Sequence, residues 1–401
     1  MDNNSLYTAD GFSDTMPAVC AFKREAEAAL RRLFTVHGYK ELETPGIEFG
    51  DVYTKGDFIS ERNLYKLVDQ KGRTIAVRCD GTIPVARYTA TIAKDEPLPL
   101  RFCYIENMFR FNQLGGGKQS EFTQAGIELI GATDASSDAE VIALAIKSAL
   151  AVGIKDLQIS IGQTKIFDGI MEQLGIKEEK ISIVCDAIAT KNQVTLSEIA
   201  KECNLNADDT KLLIMLSEAD GSDEELEKFE SMVTSATAKE AINNLKEILD
   251  YLKLYEYEKY VSIDLGLVEH ANYYTGMVFR GYTYEVGFPI LSGGRYDNTV
   301  SKFGRNAEAV GFSLGLSLTI IALMRQGMEM PEPCADVIVG YDKSNEDFKK
   351  SAITLAETLR EAGSTVIFDV KGMTSEELDE YAEKNNINAV IYVNEEYKEE
   401  M

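Results

Sequence analysis

Apolar side chains recur with helical spacing between residues 17 and 36, where Phe22, Ala26, Leu30, Leu33 and Phe34 fall on one face. Lys23, Arg31 and Arg32 lie off that face, and Gly38 ends the predicted helix. The segment from Tyr39 to Phe49 reads as extended chain punctuated by Pro45. Further strand-like runs occupy 64–69, 74–79, 101–110 and 122–130. A second helix is expected over 138–152, capped by Ser136 or Ser137, with Ala143, Ala145, Ile146 and Leu150 as its apolar surface.

From about 163 to 258 the chain turns Leu-, Glu- and Lys-rich, without proline and with few glycines. This stretch reads as a helical insertion, and the acidic run Asp220 to Glu230 as a solvated helix or loop. Strand signals return at 261–267 and 276–291. A glycine-rich turn and an apolar helix from about 311 to 326 are expected to follow. Pro331 and Pro333 mark a linker. Beyond it, apolar runs at 335–341, 364–369 and 388–393 alternate with helical patterns at 345–361 and 374–385, which predicts a small βαβαβ unit with a parallel sheet. The expected class is α+β: an antiparallel-rich sheet flanked by helices and interrupted by the insertion, in a domain over 1–330, then a small α/β domain over 331–401.

The 401 residues include 66 acids and 41 bases, a net charge of −25. That balance argues against broad contact with nucleic acid, which rests on a field of Lys and Arg. No run approaches the roughly 20 apolar residues of a membrane span, and Met1 to Met16 is polar, without the apolar core of a signal peptide. A cytoplasmic protein with no membrane contact is expected. The six cysteines form no CxxC pair and read as buried thiols. With His37 and His270 as the two histidines, a histidine-ligated metal site or a histidine-based triad is excluded as a working model. No cofactor is implied.

The most informative stretch runs from Arg101 to Gly131, where two strands flank a glycine-rich loop and predict an antiparallel hairpin. Period-two alternation puts Thr123, Ala125, Ile127 and Leu129 on one face and Gln124, Gly126 and Glu128 on the other. An amide and a carboxylate flanking a glycine leave a polar notch for a small ligand, and Arg110 reaches the same face. The alternative is a half-exposed sheet whose polar face meets water. Gly115-Gly116-Gly117-Lys118 lacks phosphate-loop spacing and reads as a flexible tip. Asp80 and Thr82 can accept from and donate to an ammonium-bearing ligand, or form a turn with a helix cap. Tyr273 and Tyr274, and the run Ser292-Gly293-Gly294-Arg295-Tyr296-Asp297-Asn298, allow close approach to a ligand or simply supply core tyrosines.

In order and spacing these segments resemble the class II histidyl-tRNA synthetases. Gly38 to Glu41 with Thr44 to Glu48 resembles motif 1, the dimer-building motif, and Phe109-Arg110 with Glu121 to Gln124 and Glu128 resembles motif 2. Tyr273 to Gly276 and Ser292 to Asp297 resemble the two histidine-specific signatures, and Ala309 to Leu316 the start of motif 3. The likeness covers roughly 10–160 and 260–326, and the 335–393 tail looks like a shortened anticodon-binding domain. The departures concern ATP: Glu269 stands where active synthetases carry arginine, Leu318 where motif 3 ends in a nucleotide-gripping arginine, and Asn112 where motif 2 carries glutamate. Asp80, Thr82, Arg110, Gln124, Glu128, Tyr273 and Tyr274 match positions of a histidine site. Pro331 to Met401 holds seven bases and seventeen acids, unlike a surface that reads an anticodon stem. SGGRYDN resembles the regulatory-subunit branch of the family more than the synthetases proper. That resemblance implies no catalytic residues, a homodimer, a hetero-octamer with the ATP phosphoribosyltransferase catalytic subunit, and histidine as a ligand. A free-standing amino-acid sensor, another paralogous enzyme and an active synthetase stay open as alternatives.

Overall fold

A computed structural model describes residues 6–56, 58–111, 119–218, 223–267 and 273–400. The chain divides into two compact units, Met1–Thr15 with Phe22–Glu329, and Met16–Ala21 with Met330–Met401. Along the first run α1 (Pro17–Val36), β1 (Lys40–Glu41), β2 (Ile47–Phe49), α2 (Asp51–Thr54), β3 (Lys66–Val68), β4 (Thr74–Val77) and α3 (Thr82–Thr91). The hairpin β5 (Leu100–Phe109) and β6 (Glu121–Ile130) follows, then α4 (Ala135–Val152) and β7 (Gln158–Gln163). The insertion is helical throughout its described residues: α5 (Thr164–Gln173), α6 (Glu178–Ala189), α7 (Gln193–Glu202), α8 (Ala207–Glu218), α9 (Asp223–Met232) and α10 (Ala236–Leu254). The chain returns through β8 (Val261–Ile263), β9 (Met277–Tyr282), β10 (Leu291–Arg295), β11 (Ala309–Gly315) and α11 (Leu316–Arg325).

Among the described residues an eight-stranded sheet takes the order β1-β5-β6-β11-β10-β9-β7-β8, and a small sheet the order β2-β4-β3. The pairs β1·β5 and β7·β8 are parallel and the other neighbours in the large sheet antiparallel. This α+β arrangement follows the pattern of the chain: β5 and β6 carry apolar residues on both faces because helices cover both, so Tyr104, Met108, Ile127 and Leu129 are all fully buried.

Four expectations are corrected. The glycine-rich run at 292–295 is not a turn but strand β10, paired through Gly293 with Phe279 and Phe312. The expected helix from 311 begins only at Leu316. Val310, Phe312 and Leu314 alternate with Gly311, Ser313 and Gly315, a period of two that makes β11 the strand between β6 and β10. Ser136 and Ser137 do not cap α4. Asp134, extended at φ −78°, precedes it, and the Ser137 hydroxyl donates back to the Asp134 carbonyl at 2.6 Å from inside the first turn. The expected single strand at 276–291 also divides, with an irregular stretch between β9 and β10 that contains Pro289.

The second unit is the parallel sheet β13-β12-β14, with β12 (Val337–Tyr341), α12 (Glu346–Glu361), β13 (Val366–Phe368), α13 (Ser375–Lys384), β14 (Ala389–Val393) and α14 (Glu395–Glu400). Val339 packs with Phe348, Ala352 and Ala356 on one face, and Ile338 with Leu378 and Ala382 on the other. Thr374 and Glu377 form a reciprocal capping box that starts α13.

One buried ion pair ties β10 to α4. Arg295 donates to Asp138 at 2.6 Å, to the Ala132 carbonyl at 2.8 Å and to Ser137 at 3.1 Å, and pairs with Asp297 at 3.2 Å. Burial pushes the Asp138 carboxyl up to about 6, against the pull of Arg295. Removing the cation leaves an uncompensated carboxylate in the interior. Arg295→Met is therefore expected to cost about 3–5 kcal/mol in urea unfolding, and Arg295→Met with Asp138→Leu to recover much of that loss. A double variant no more stable than the single would contradict this account.

Candidate amino-acid-binding site

The hairpin register places Gln124 opposite Glu106, Gly126 opposite Tyr104 and Glu128 opposite Phe102. On the other side β11 sets Gly311 against Glu128, Ser313 against Gly126 and Gly315 against Gln124. Gln124 and Glu128 thus point into the centre of the sheet, with glycines across from or between them. The half-exposed alternative is excluded: Glu128 is 0% exposed and Gln124 8%.

Glu128 lies in the driest position. The Tyr296 hydroxyl donates to its Oε2, while Oε1 has no partner among the described residues. A Cβ at Gly311 would collide with Glu128 Oε2 and with the Ile127 carbonyl, so only glycine leaves room for the carboxyl group. Burial pushes the Glu128 pKa up to about 8, with the Tyr296 hydrogen bond and the neighbouring Thr82 hydroxyl acting against it and the charge of Asp80 adding to it. At neutral pH the group is a carboxylic acid, able to donate as well as accept.

Of the other buried polar atoms that lack partners among the described residues, Gln124 Oε1 and the Tyr104 hydroxyl lie beside Glu128, while the Tyr39 and Tyr53 hydroxyls and the Thr89 hydroxyl do so elsewhere. The Tyr104 ring fills the space over Gly126, where a Cβ would overlap its hydroxyl end. Buried polar groups are rarely left unsatisfied, because each costs on the order of 1–3 kcal/mol. Three such atoms lie together on the neighbouring strands β5 and β6, which makes this the candidate place for a ligand.

Asp80 closes the opposite side. One carboxylate oxygen accepts from the Ile83 amide at 3.0 Å, the cap that starts α3, and the other pairs with Arg110 at 3.4 Å. The cap and ligand readings of Asp80 are therefore compatible. Arg110 also donates to the Cys79 carbonyl at 2.8 Å and lies over the Phe122 ring at 5.4 Å. Tyr273 stacks on Tyr296 at 5.8 Å and meets Tyr274 edge-on at 4.9 Å.

A cavity of about 370 Å³ is lined by Asp80, Thr82, Arg110, Gln124, Tyr273 and Tyr274. Small-molecule sites run from about 300 to 1,000 Å³. Six of the seven expected residues share that wall. Glu128 stands behind it, reached past Tyr296 and Gly311, which also line the cavity. Sequence reasoning missed Tyr104 and Tyr296 as site residues. An aromatic opposite a strand glycine was the available signal for Tyr104, and the tyrosine inside SGGRYDN for Tyr296.

A second cavity of about 280 Å³ adjoins the first and shares Arg110, Gln124, Ser292 and Ser313 with it. Leu318 lines this second space with Phe122, Phe288 and Ile321. Glu269, Asn112 and the Gly115–Lys118 tip lie outside the described residues.

An antiparallel-rich sheet flanked by helices, with an amino-acid-sized polar notch in its middle strands, defines a class II synthetase-like domain. The model of the family described as histidyl-tRNA synthetase matches residues 11–318. ATP phosphoribosyltransferase regulatory subunits are 42% identical in Acetivibrio thermocellus, over 97% of this chain and 92% of that protein, and 39% in Ruminiclostridium cellulolyticum, over 99% and 94%. A crystal structure from Bacillus halodurans, described as an ATP phosphoribosyltransferase regulatory subunit/histidyl-tRNA synthetase, superposes with a TM-score of 0.86 at 32% identity, over 96% of this chain and 97% of that one. Histidyl-tRNA synthetase from Nostoc sp. shares the fold at a TM-score of 0.80 and 24% identity, over 95% and 90%. The chain belongs to the ATP phosphoribosyltransferase regulatory subunits of the histidyl-tRNA synthetase family.

The raised pKa of Glu128 has a measurable cost. The folded state holds a proton up to about pH 8 that the unfolded chain releases near 4.5, so the contribution of Glu128 to stability is fully present below about 4.5 and is lost as pH rises through about 8. Glu128→Gln keeps the shape and removes the titration. Its melting temperature is expected to exceed that of wild type at pH 8.5 and to match it near pH 5; a gap of the same size at both would contradict the assignment.

Proposed function

We propose that this chain is the non-catalytic regulatory subunit of a short-form ATP phosphoribosyltransferase, required for that enzyme's activity and for histidine feedback on the first step of histidine biosynthesis. It does so without adenylating an amino acid. The observation that carries this reading is the contrast between the two adjoining cavities. The first keeps donors and acceptors for a whole amino acid, whereas the second presents Leu318 and other apolar groups where a nucleotide polyphosphate needs cations. The names of its relatives support the regulatory assignment.

In this reading Asp80 and Thr82 take the ammonium group of histidine, Arg110 and Gln124 its carboxylate, and Glu128 its imidazole, with Tyr273 and Tyr274 walling the notch. The subunit is a class II-like homodimer, built through the Gly38–Glu48 segment, that assembles with a separate catalytic subunit into a hetero-octamer in the cytoplasm. Among the described residues no helix is long and apolar enough to cross a membrane. Histidine acts through a coupling free energy, typically about 1–3 kcal/mol, between the notch and the contact with the catalytic subunit.

Proton counting sets the pH dependence of histidine binding. One proton shared between Glu128 and the imidazole suffices for a hydrogen bond. Between the ordinary histidine pKa of about 6.5 and the Glu128 value of about 8, the free partners carry that one proton. Above 8 a neutral imidazole N–H meets a buried carboxylate with no neutralising charge, and below 6.5 an imidazolium meets a neutral acid, each leaving a net charge in the interior. Calorimetry is therefore expected to give tightest binding between about pH 6.5 and 8, weakening beyond either limit. Glu128→Ala should lower affinity at least tenfold at pH 7.5. Equal affinities for variant and wild type would remove Glu128 from the site.

A further inference from the structure

We infer that the second cavity is a ligand site in its own right, one that takes the uncharged, largely apolar extension of a histidine modified at its carboxyl group, as in a histidyl amide or a histidyl dipeptide. The inference rests on the histidine reading of the first cavity and adds what lies beyond its carboxylate end.

The polarity of the two spaces gives the direction. Asp80 and Thr82 line the first cavity alone, so the ammonium group stays there. The shared wall is made of Arg110, Gln124, Ser292 and Ser313, donors that suit a carboxylate or an amide carbonyl. A ligand whose carbonyl reaches that wall has its next atoms in the second cavity.

The chemistry of that cavity selects the group attached beyond the carbonyl. Apolar side chains, Phe122, Phe288, Leu318 and Ile321 among them, make up half of its lining residues, and outside the shared wall its polar ones are the uncharged Gln119 and Ser317. Arg110, its one lining cation among the described residues, is already engaged by Asp80, by the Cys79 carbonyl and by the face of Phe122. A polyphosphate there would sit against apolar walls with a single shared cation, which burial penalises. An uncharged ring or branched alkyl group fits, and about 280 Å³ has room for one. Gln124 Oε1, buried and without a partner among the described residues, stands at the junction ready to accept from the amide N–H of such a ligand. Free histidine has no group beyond its carboxylate to enter this space, and ATP brings a polyphosphate that its one engaged cation does not balance.

The test titrates L-histidine methyl ester and L-histidine benzyl ester into the full chain and into Leu318→Arg, with Leu318→Trp as a second, space-filling variant. Wild type is expected to bind the benzyl ester at least tenfold tighter than the methyl ester. Either variant should bring that ratio close to one, a comparison made within each protein. Equal or weaker binding of the benzyl ester to wild type, or a ratio unchanged in both folded variants, overturns the inference. If L-histidine itself fails to bind, the reading of the first cavity fails separately. Benzyl alcohol, followed by ligand-observed NMR, then probes the second cavity alone: binding lost in Leu318→Arg sustains that site, and no binding to wild type overturns it.

Discussion

The site depends on one constraint: a carboxyl group held without water in the middle of a β-sheet. Glu128 is tolerated there because Gly311 leaves room across the strand and Tyr296 supplies one hydrogen bond, while the second oxygen is left to a ligand. Those conditions account for much of the surrounding sequence. Tyr296 comes directly after Arg295, whose buried pair with Asp138 fixes the end of β10 against α4. Glycines at 126 and 311 are needed because side chains, not backbone alone, fill the space above them.

That arrangement suits a subunit that senses rather than reacts. Catalysis of adenylation needs charge stabilisation that grows in the transition state. Here the fixed polar groups cluster around the first cavity, and the adjoining space has a single lining cation among the described residues. A ligand that satisfied the three orphaned buried atoms would stabilise the arrangement of β5 and β6 that offers them. Any contact with a partner that differs between the filled and empty arrangements then feels the ligand, and the partner in turn changes ligand affinity by the same factor.

Much of this was legible in the chain. The alternation at 122–130 gave the correct faces, because a strand's side-chain period survives whatever packs on it. The βαβαβ tail was readable for the same reason, its short apolar runs alternating with amphipathic helices. The failures have a common physical source. Glycine at 293, 294 and 311 signals turns or loops when read locally, yet in β10 and β11 it serves close packing between central strands, a requirement set by residues far away in sequence. The burial of Gln124 and Glu128 was likewise unreadable from the hairpin alone, since it is β11, nearly two hundred residues later, that covers them. Tyr296 joins the site only through that tertiary pairing, whereas Tyr104 is set opposite Gly126 by the hairpin itself.

The central claim is that this chain works through a catalytic partner. Phosphoribosyl-ATP formation should be measured with the short catalytic subunit from the same genome, with and without this chain, adding histidine last. The account predicts activity that rises when the chain is present and then falls on addition of histidine. A catalytic subunit that neither associates with the chain nor changes its rate would contradict it.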